Sequence, residues 1–175
     1  TMRRLKAEIY VFLVDQSPEY LSSLKKSIEH PERYIISTYT SGERFIKDLT
    51  SMKFAPNDIC VAFLGYQFFG DMDHALMNGI EILESIKVIN PSIEVIMLTG
   101  NDEGSYGAFA RKSGAFTVIP KNDNVFMRSN NLIMKVISEK RLAQSKRTFL
   151  ILLKIFLAYL LLLIIALGIY KLFFV

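Results

Sequence analysis

Short apolar runs alternate with stretches of helical periodicity along most of the chain. Ile9 to Val14, Tyr34 to Thr40, Asp58 to Leu64, Ile93 to Leu98 and Phe116 to Ile119 are rich in Ile, Val, Phe and Tyr and are bounded by polar residues, as buried strands are. The intervening segments carry apolar residues at three- and four-residue spacing. Ser17 and Pro18 supply an N-cap and a first helical position ahead of Leu21, Leu24 and Ile28, which predicts a first helix with one apolar face. A second helix is expected to open at Ser41 and bury Phe45, Ile46 and Leu49, and a third to open near Asn78 and bury Ile80, Leu83 and Ile86. A fourth is expected over Glu103 to Lys112, ending at Gly114, and a fifth from Ser129 or Asn130 with Leu132, Ile133, Val136 and Ile137 turned inward. Five strands alternating with five helices predict an α/β fold in which helices cover both faces of a parallel, doubly wound sheet.

The last apolar run has a different character. Phe149 to Val175 spans 27 residues with only two charges, Lys154 and Lys171. A bilayer core of about 30 Å needs about 20 apolar residues in a helix, and lysines near its ends can extend to the interface. A core helix is seldom apolar all round over so many turns, so one C-terminal transmembrane α-helix is expected. Lys140, Arg141, Lys146 and Arg147 precede the run, and positively charged flanks stay cytoplasmic. A single-pass membrane protein with a cytoplasmic body is therefore expected. The first apolar run stops at Asp15, too short for the core of a signal peptide. No Pro or Gly interrupts Asn130 to Leu167, so the fifth helix is expected to continue into the span, with Gln144 to Thr148 as the competing site of a flexible joint.

Composition adds limits rather than a function. The 51% of hydrophobic residues is concentrated in the tail, and the formal charge of +4 owes much to the four basic residues before it. Anionic lipid is a nearer partner for those cations than nucleic acid, and no nucleic-acid binding is expected. The single cysteine, Cys60, lies in an apolar run and fits packing in a reducing compartment. His30 and His74 have no ligand spacing with each other or with Cys60, so no metal site is assigned. No Gly-rich phosphate loop or Ser-His-Asp pattern is present, and no catalytic residues are expected.

In an open parallel sheet, ligands gather at the carboxyl ends of the strands. The first strand ends in Val14-Asp15-Gln16-Ser17-Pro18, the fourth in Met97-Leu98-Thr99-Gly100, and the fifth leads into Ile119-Pro120-Lys121. An acid, a hydroxyl and an ammonium are thus expected to converge. From Ile9 to about Lys140 this order and spacing resemble the receiver domain of two-component response regulators, CheY-like domains with a flavodoxin-like (βα)5 fold. The resemblance implies a phosphoryl-transfer site of two acids after the first strand, an acceptor aspartate after the third, a Thr or Ser after the fourth and a Lys after the fifth. Asp15, Thr99 and Lys121 match that pattern.

The remaining positions depart from it. Gln16 stands at the second acid. Gly65, in Phe63-Leu64-Gly65-Tyr66, stands where the acceptor belongs, although counting from Asp58 selects Phe63. Val118 replaces the aromatic switch residue, and Asn122 the proline expected after the lysine. Mg²⁺ needs several oxygen ligands, which Asp15 alone does not supply, so no cofactor is expected. Structural roles are expected for the surviving residues: Asp15 bonded to amides or to Lys121, Thr99 capping a turn, Lys121 paired or solvated.

These departures point to a degenerate pseudo-receiver that serves as a non-phosphorylated protein-protein interaction or signalling module held at the membrane. Two alternatives stay open. One is a phospho-accepting response regulator in a phosphorelay, using Asp71 or Asp73 in the long 65–79 loop, where Tyr66, Phe68, Phe69 and Met72 also need burial or a partner. The other is a structural subunit of a membrane complex. The resemblance implies a partner face on the fourth helix, fifth strand and fifth helix, with Tyr106 and Phe109 on it. The partner is expected to be another protein, and a homodimer stays open. The domain division is residues 7–140 receiver-like, 141–148 basic juxtamembrane, and 149–175 transmembrane.

Overall fold

The computed structural model describes residues 7–66, 77–100, 104–122 and 124–174, with the side chains of 104–106 and 169–174 left aside. Five strands, β1 (Ile9–Val14), β2 (Ile35–Tyr39), β3 (Ile59–Gly65), β4 (Glu94–Thr99) and β5 (Thr117–Pro120), form one sheet of order β2-β1-β3-β4-β5. Every pairing is parallel. The helices are α1 (Pro18–Ser27), α2 (Gly42–Ser51), α3 (Gly79–Ile89), α4 (Gly104–Lys112) and α5 (Val125–Phe174). The expected α/β, flavodoxin-like (βα)5 architecture with a long C-terminal apolar helix is the observed one.

Strand alternation explains the two cores. Successive side chains point to opposite faces. On β1, Phe12 and Val14 join Phe45, Leu49, Leu83, Ile86 and Ala110 of α2, α3 and α4. Val11 and Leu13 join Leu21, Leu24, Ile133 and Val136 of α1 and α5 on the other face. All seven residues of β3 are buried, because the central strand of a parallel sheet is covered on both sides. Ile46 and Leu132, both expected inside, are partly buried against these cores.

Several element ends are set by specific side chains. Ser17 accepts the Tyr20 amide at 3.2 Å and opens α1. Asn78 accepts the Ile80 and Glu81 amides while the Glu81 carboxylate accepts the Asn78 amide at 2.8 Å, a reciprocal capping box for α3. Asp58, expected inside the third strand, lies before it, with its carboxylate accepting the Glu8 and Ala55 amides at 2.9 and 2.8 Å. α5 starts at Val125, earlier than Ser129 or Asn130: Ser129 is fully buried within the helix and its hydroxyl donates to the Val125 carbonyl at 2.7 Å. Ser and Asn read as caps when taken from composition, yet a serine bonded back to the carbonyl four residues earlier sits comfortably inside a helix. A short 3₁₀ turn, Pro31–Arg33, follows His30 in the left-handed region at φ 53°.

The chain divides into two compact units, residues 1–137 and 138–175. In the second, Phe149 to Leu167 are exposed, and α5 contains the one helix among the described residues long and apolar enough to cross a membrane, with a mean hydropathy of 3.0 over its most apolar window. The backbone is helical throughout Val125–Phe174.

The start of α3 sits directly on the end of β3. The Gly79 amide donates to the Tyr66 carbonyl at 3.1 Å, and a Cβ on Gly79 would stand 2.6 Å from the Gly65 carbonyl oxygen and 2.8 Å from the Tyr66 Cα. Backbone atoms cannot retreat as a flexible side chain can, so Gly79→Ala is expected to lower stability by about 1–3 kcal/mol, the usual cost of overpacking. Gly107 in α4 would meet only the Arg111 guanidinium at 3.4 Å; Gly107→Ala is expected to be neutral or to stabilise by up to about 1 kcal/mol. Urea midpoints of the two variants against the parent chain check the contrast.

Candidate functional site

The order of strands reverses between β1 and β3, and the two ends of those strands hold the polar residues picked out in the sequence. Asp15 follows β1 and is 1% exposed. Its backbone amide donates to the Tyr39 carbonyl at 3.0 Å, which holds it level with the end of β2. One carboxylate oxygen accepts the Ser17 amide at 3.1 Å, and the other accepts from the Lys121 ammonium in a close ion pair. The Lys121 backbone amide is itself anchored to the Thr99 carbonyl at 2.8 Å. The lysine therefore reaches Asp15 from the last position held by the sheet.

Gly65 closes β3 opposite Leu98. A Cβ at this position would collide with the Asp15 carboxylate oxygen that pairs with Lys121. Phe63, the other candidate acceptor position, is wholly buried in the core between the sheet, α1 and α5. Thr99 ends β4, is 3% exposed, and its hydroxyl has no hydrogen-bond partner among the described residues. Asp15, Gly65, Thr99 and Lys121 thus gather at one edge of the sheet. Gln16 is next to them in sequence but is exposed. Val118 lies in β5 and is buried at 6% exposure in the core on the α2, α3 and α4 side. Phe109 is 52% exposed on α4; the side chain of Tyr106 lies outside the described residues, as do Asp71, Asp73, His74, Phe68, Phe69 and Met72.

Two aromatic residues that sequence patterns did not single out complete the arrangement. The Lys121 ammonium stands 4.8 Å from the centre of the Tyr20 ring, a cation-π distance. The Tyr20 ring packs against Phe126 at 6.2 Å between centroids, which links α1 to the first turn of α5. Tyr20 sits on the first turn of α1, three residues after the cap, and nothing in a sequence distinguishes a tyrosine covering a lysine from one covering a sheet. Burial, with the Asp15 carboxylate as a second cause, pushes its phenol up to about 12. Its hydroxyl is buried without a hydrogen-bond partner among the described residues.

The geometry can hold a carboxylate and an ammonium together under an aromatic cover. Among the described residues no cluster of three His, Cys, Asp or Glu side chains could hold a metal ion, and the Asp15 oxygens are already engaged.

A family model of the response regulator receiver domain matches residues 11–128. The chain belongs to the response regulator receiver family. Solved structures give the same fold. A CheY-like receiver domain protein of Methanospirillum hungatei JF-1 superposes with a TM-score of 0.63 at 21% identity, covering 77% of this chain and 98% of that one. A receiver domain protein of Clostridium thermocellum does so with a TM-score of 0.63 at 23% identity, over 77% and 98%. The receiver domain of AraT from Geobacillus stearothermophilus gives 0.63 at 18% identity, over 77% and 97%. Comparison with curated proteins gives no match.

Within this receiver domain the ion pair and its aromatic cover have separable consequences. Breaking a buried pair from one side strands the other charge, so Lys121→Met is expected to cost about 3 kcal/mol, read from urea denaturation. Tyr20 behaves oppositely. Its phenol titrates near 10 in the unfolded chain and about 12 in the folded one. Between those values the unfolded state holds fewer protons than the folded state, so stability present below pH 10 is lost as pH rises towards 12. Tyr20→Phe is expected to remove that alkaline loss and, because the hydroxyl has no partner among the described residues, to leave neutral-pH stability unchanged or slightly raised. Thermal melts of both proteins across the alkaline range measure it.

Proposed function

We propose that this chain is a membrane-anchored, degenerate receiver domain that signals by binding another protein and does not depend on accepting a phosphoryl group. The observation that carries this reading is at Gly65. The end of β3 has no side chain, and the space a side chain would enter is taken by the Asp15 carboxylate bound to Lys121. A phosphoryl acceptor must be a nucleophile free to meet the donor; Asp15 is buried and committed to a cation and an amide. Gln16 in place of a second acid removes a further oxygen ligand, so no Mg²⁺ is part of the proposed mechanism. The domain is proposed to act as a binding module without catalytic residues.

The anchor rests on α5. Its apolar stretch is exposed from Phe149 to Leu167, and Lys140, Arg141, Lys146 and Arg147 lie just before it. This charge bias supports a cytoplasmic receiver domain and a single span, with residues 7–140, 141–148 and 149–175 as receiver, juxtamembrane and transmembrane parts. Exposed Phe109 on α4 supports a protein partner at the α4 face.

Treatment of the full chain with a small phosphodonor and Mg²⁺ is expected to leave its intact mass unchanged. A phosphoryl adduct that vanishes in Asp71→Asn or Asp73→Asn would overturn the non-phosphorylated reading in favour of an acid in the 65–79 segment. On the side of the anchor, the full chain is expected to stay with membranes through a carbonate wash, and its recovery as a detergent-free monomer would refute the span.

A further inference from the structure

The helical part of the second unit carries its cations unevenly, and their angular positions single out one face. Residues seven apart on an α-helix are about 20° short of two full turns and about 10 Å apart along the axis. Lys140, Arg147 and Lys154 follow each other at that spacing, so they form one ridge on α5. Lys146 lies at almost the same height as Arg147 but about 100° around the helix. Between Arg147 and Lys154 the ridge side is flanked by Leu150 and Ile151, 54% and 50% exposed. Arg147 and Lys154 are exposed as well.

Lys154 sets the chemistry. It stands five residues, about 7.5 Å, inside the apolar stretch that begins at Phe149, where an uncompensated ammonium is costly. No Asp or Glu occurs anywhere from Lys140 to Val175, and the one acid of α5, Glu139, stands fifteen residues, about 22 Å, before Lys154, too far to pair with it. Side chains on a helix tilt towards its N-terminus, which here carries the Lys154 ammonium back towards Arg147 and the headgroup layer. Arg147 stands about 10 Å away along the axis on the same side of the helix, and both side chains are long enough for their charged heads to turn towards the level between them. Arg supplies a planar fork for two phosphate oxygens and Lys a point charge for a third.

We propose that Arg147 and Lys154 form a binding site for the phosphate of an anionic glycerophospholipid in the cytoplasmic leaflet, with Leu150 and Ile151 against its acyl chains. The proposal rests on the membrane-anchored reading above and adds to it a face-specific ligand. The charge complement selects an anionic lipid over a zwitterionic one, whose own ammonium would meet the ridge with like charge. A diffuse attraction of basic residues to the leaflet would use Lys146 as much as Arg147; a built site would not.

The full chain in nanodiscs of phosphatidylcholine doped with phosphatidylglycerol tests this, with the lipids that stay bound after detergent extraction counted by native mass spectrometry. The parent chain is expected to retain phosphatidylglycerol. Arg147→Gln and Lys154→Leu are each expected to weaken retention about fivefold, the effect of one cation at an anionic surface, whereas Lys146→Gln leaves it unchanged. Equal loss in all three variants would reduce the site to surface attraction and overturn the proposal, as would retention of phosphatidylcholine and phosphatidylglycerol in their bulk ratio by the parent chain. Failure of the chain to enter nanodiscs at all is a separate result: it removes the anchor itself and the lipid site with it.

Discussion

The carboxylate of Asp15 is a charge held almost entirely out of water, and the arrangement around it follows from the need to compensate it. Burial of an unpaired carboxylate costs several kcal/mol or shifts it to the neutral form. Lys121 supplies the countercharge from the end of β5, and the Ser17 amide supplies a hydrogen bond from the start of α1. Once that pair is made, other features fall into place. Gly65 leaves room for the carboxylate. Tyr20 covers the ammonium with an aromatic face instead of water, and its phenol, placed near a negative charge and away from solvent, holds its proton. The pair ties the β1–α1 junction to the strand that precedes α5, so two segments more than a hundred residues apart meet at one electrostatic contact.

Much of this fold was legible from periodicity because a parallel sheet leaves a strong trace: each strand is a short, nearly continuous apolar run, and each helix shows one apolar face. β1, α1, α2 and α3 follow that pattern with Ser17, Ser41 and Asn78 as their caps. The misplacements have physical causes. Asp58 resembles the first residue of a strand because it is an acid next to an apolar run, whereas its carboxylate brackets the chain by accepting two amides before β3 begins. The start of α5 is hidden in the sequence because Ser129 resembles a cap, whereas its hydroxyl bonds back to the Val125 carbonyl inside the helix. At the sheet edge, Asp15, Thr99 and Lys121 were readable from spacing alone. The aromatic cover was not, since Tyr20 and Phe126 are separated by more than a hundred residues of sequence and carry no pattern linking them.

Gly65 and Phe63 illustrate where counting fails and geometry succeeds. From sequence, either could stand at the place of the family's acceptor, depending on whether the strand is counted from Asp58 or from the Phe-Leu-Gly-Tyr stretch. In a strand, a shift of one residue exchanges the two faces and a shift of two keeps the face but moves along the sheet. Phe63 is two residues short of the edge and belongs to the core with Val11, Leu13 and Leu24. Gly65 lies at the edge, where its missing side chain is filled by a neighbour.

On the proposed reading, the charge arithmetic of the site explains how a receiver fold remains stable without the chemistry of the family. Several carboxylates packed at one strand edge repel each other and raise each other's proton affinity unless a cation sits among them. With Gln16 and Gly65 at two of the acidic positions, a single carboxylate remains, and a single ammonium suffices to neutralise it. Such an edge needs neither a metal nor a phosphoryl group to be at rest. The two cores on either face of the sheet are made by other residues, so the fold does not feel the loss. Tyr20 then acts on a pair already neutral, excluding water from a contact whose strength depends on a low dielectric. The thermodynamic consequence is a domain with one resting electrostatic state, in which a binding partner, not a covalent modification at Gly65, is left as the source of any change.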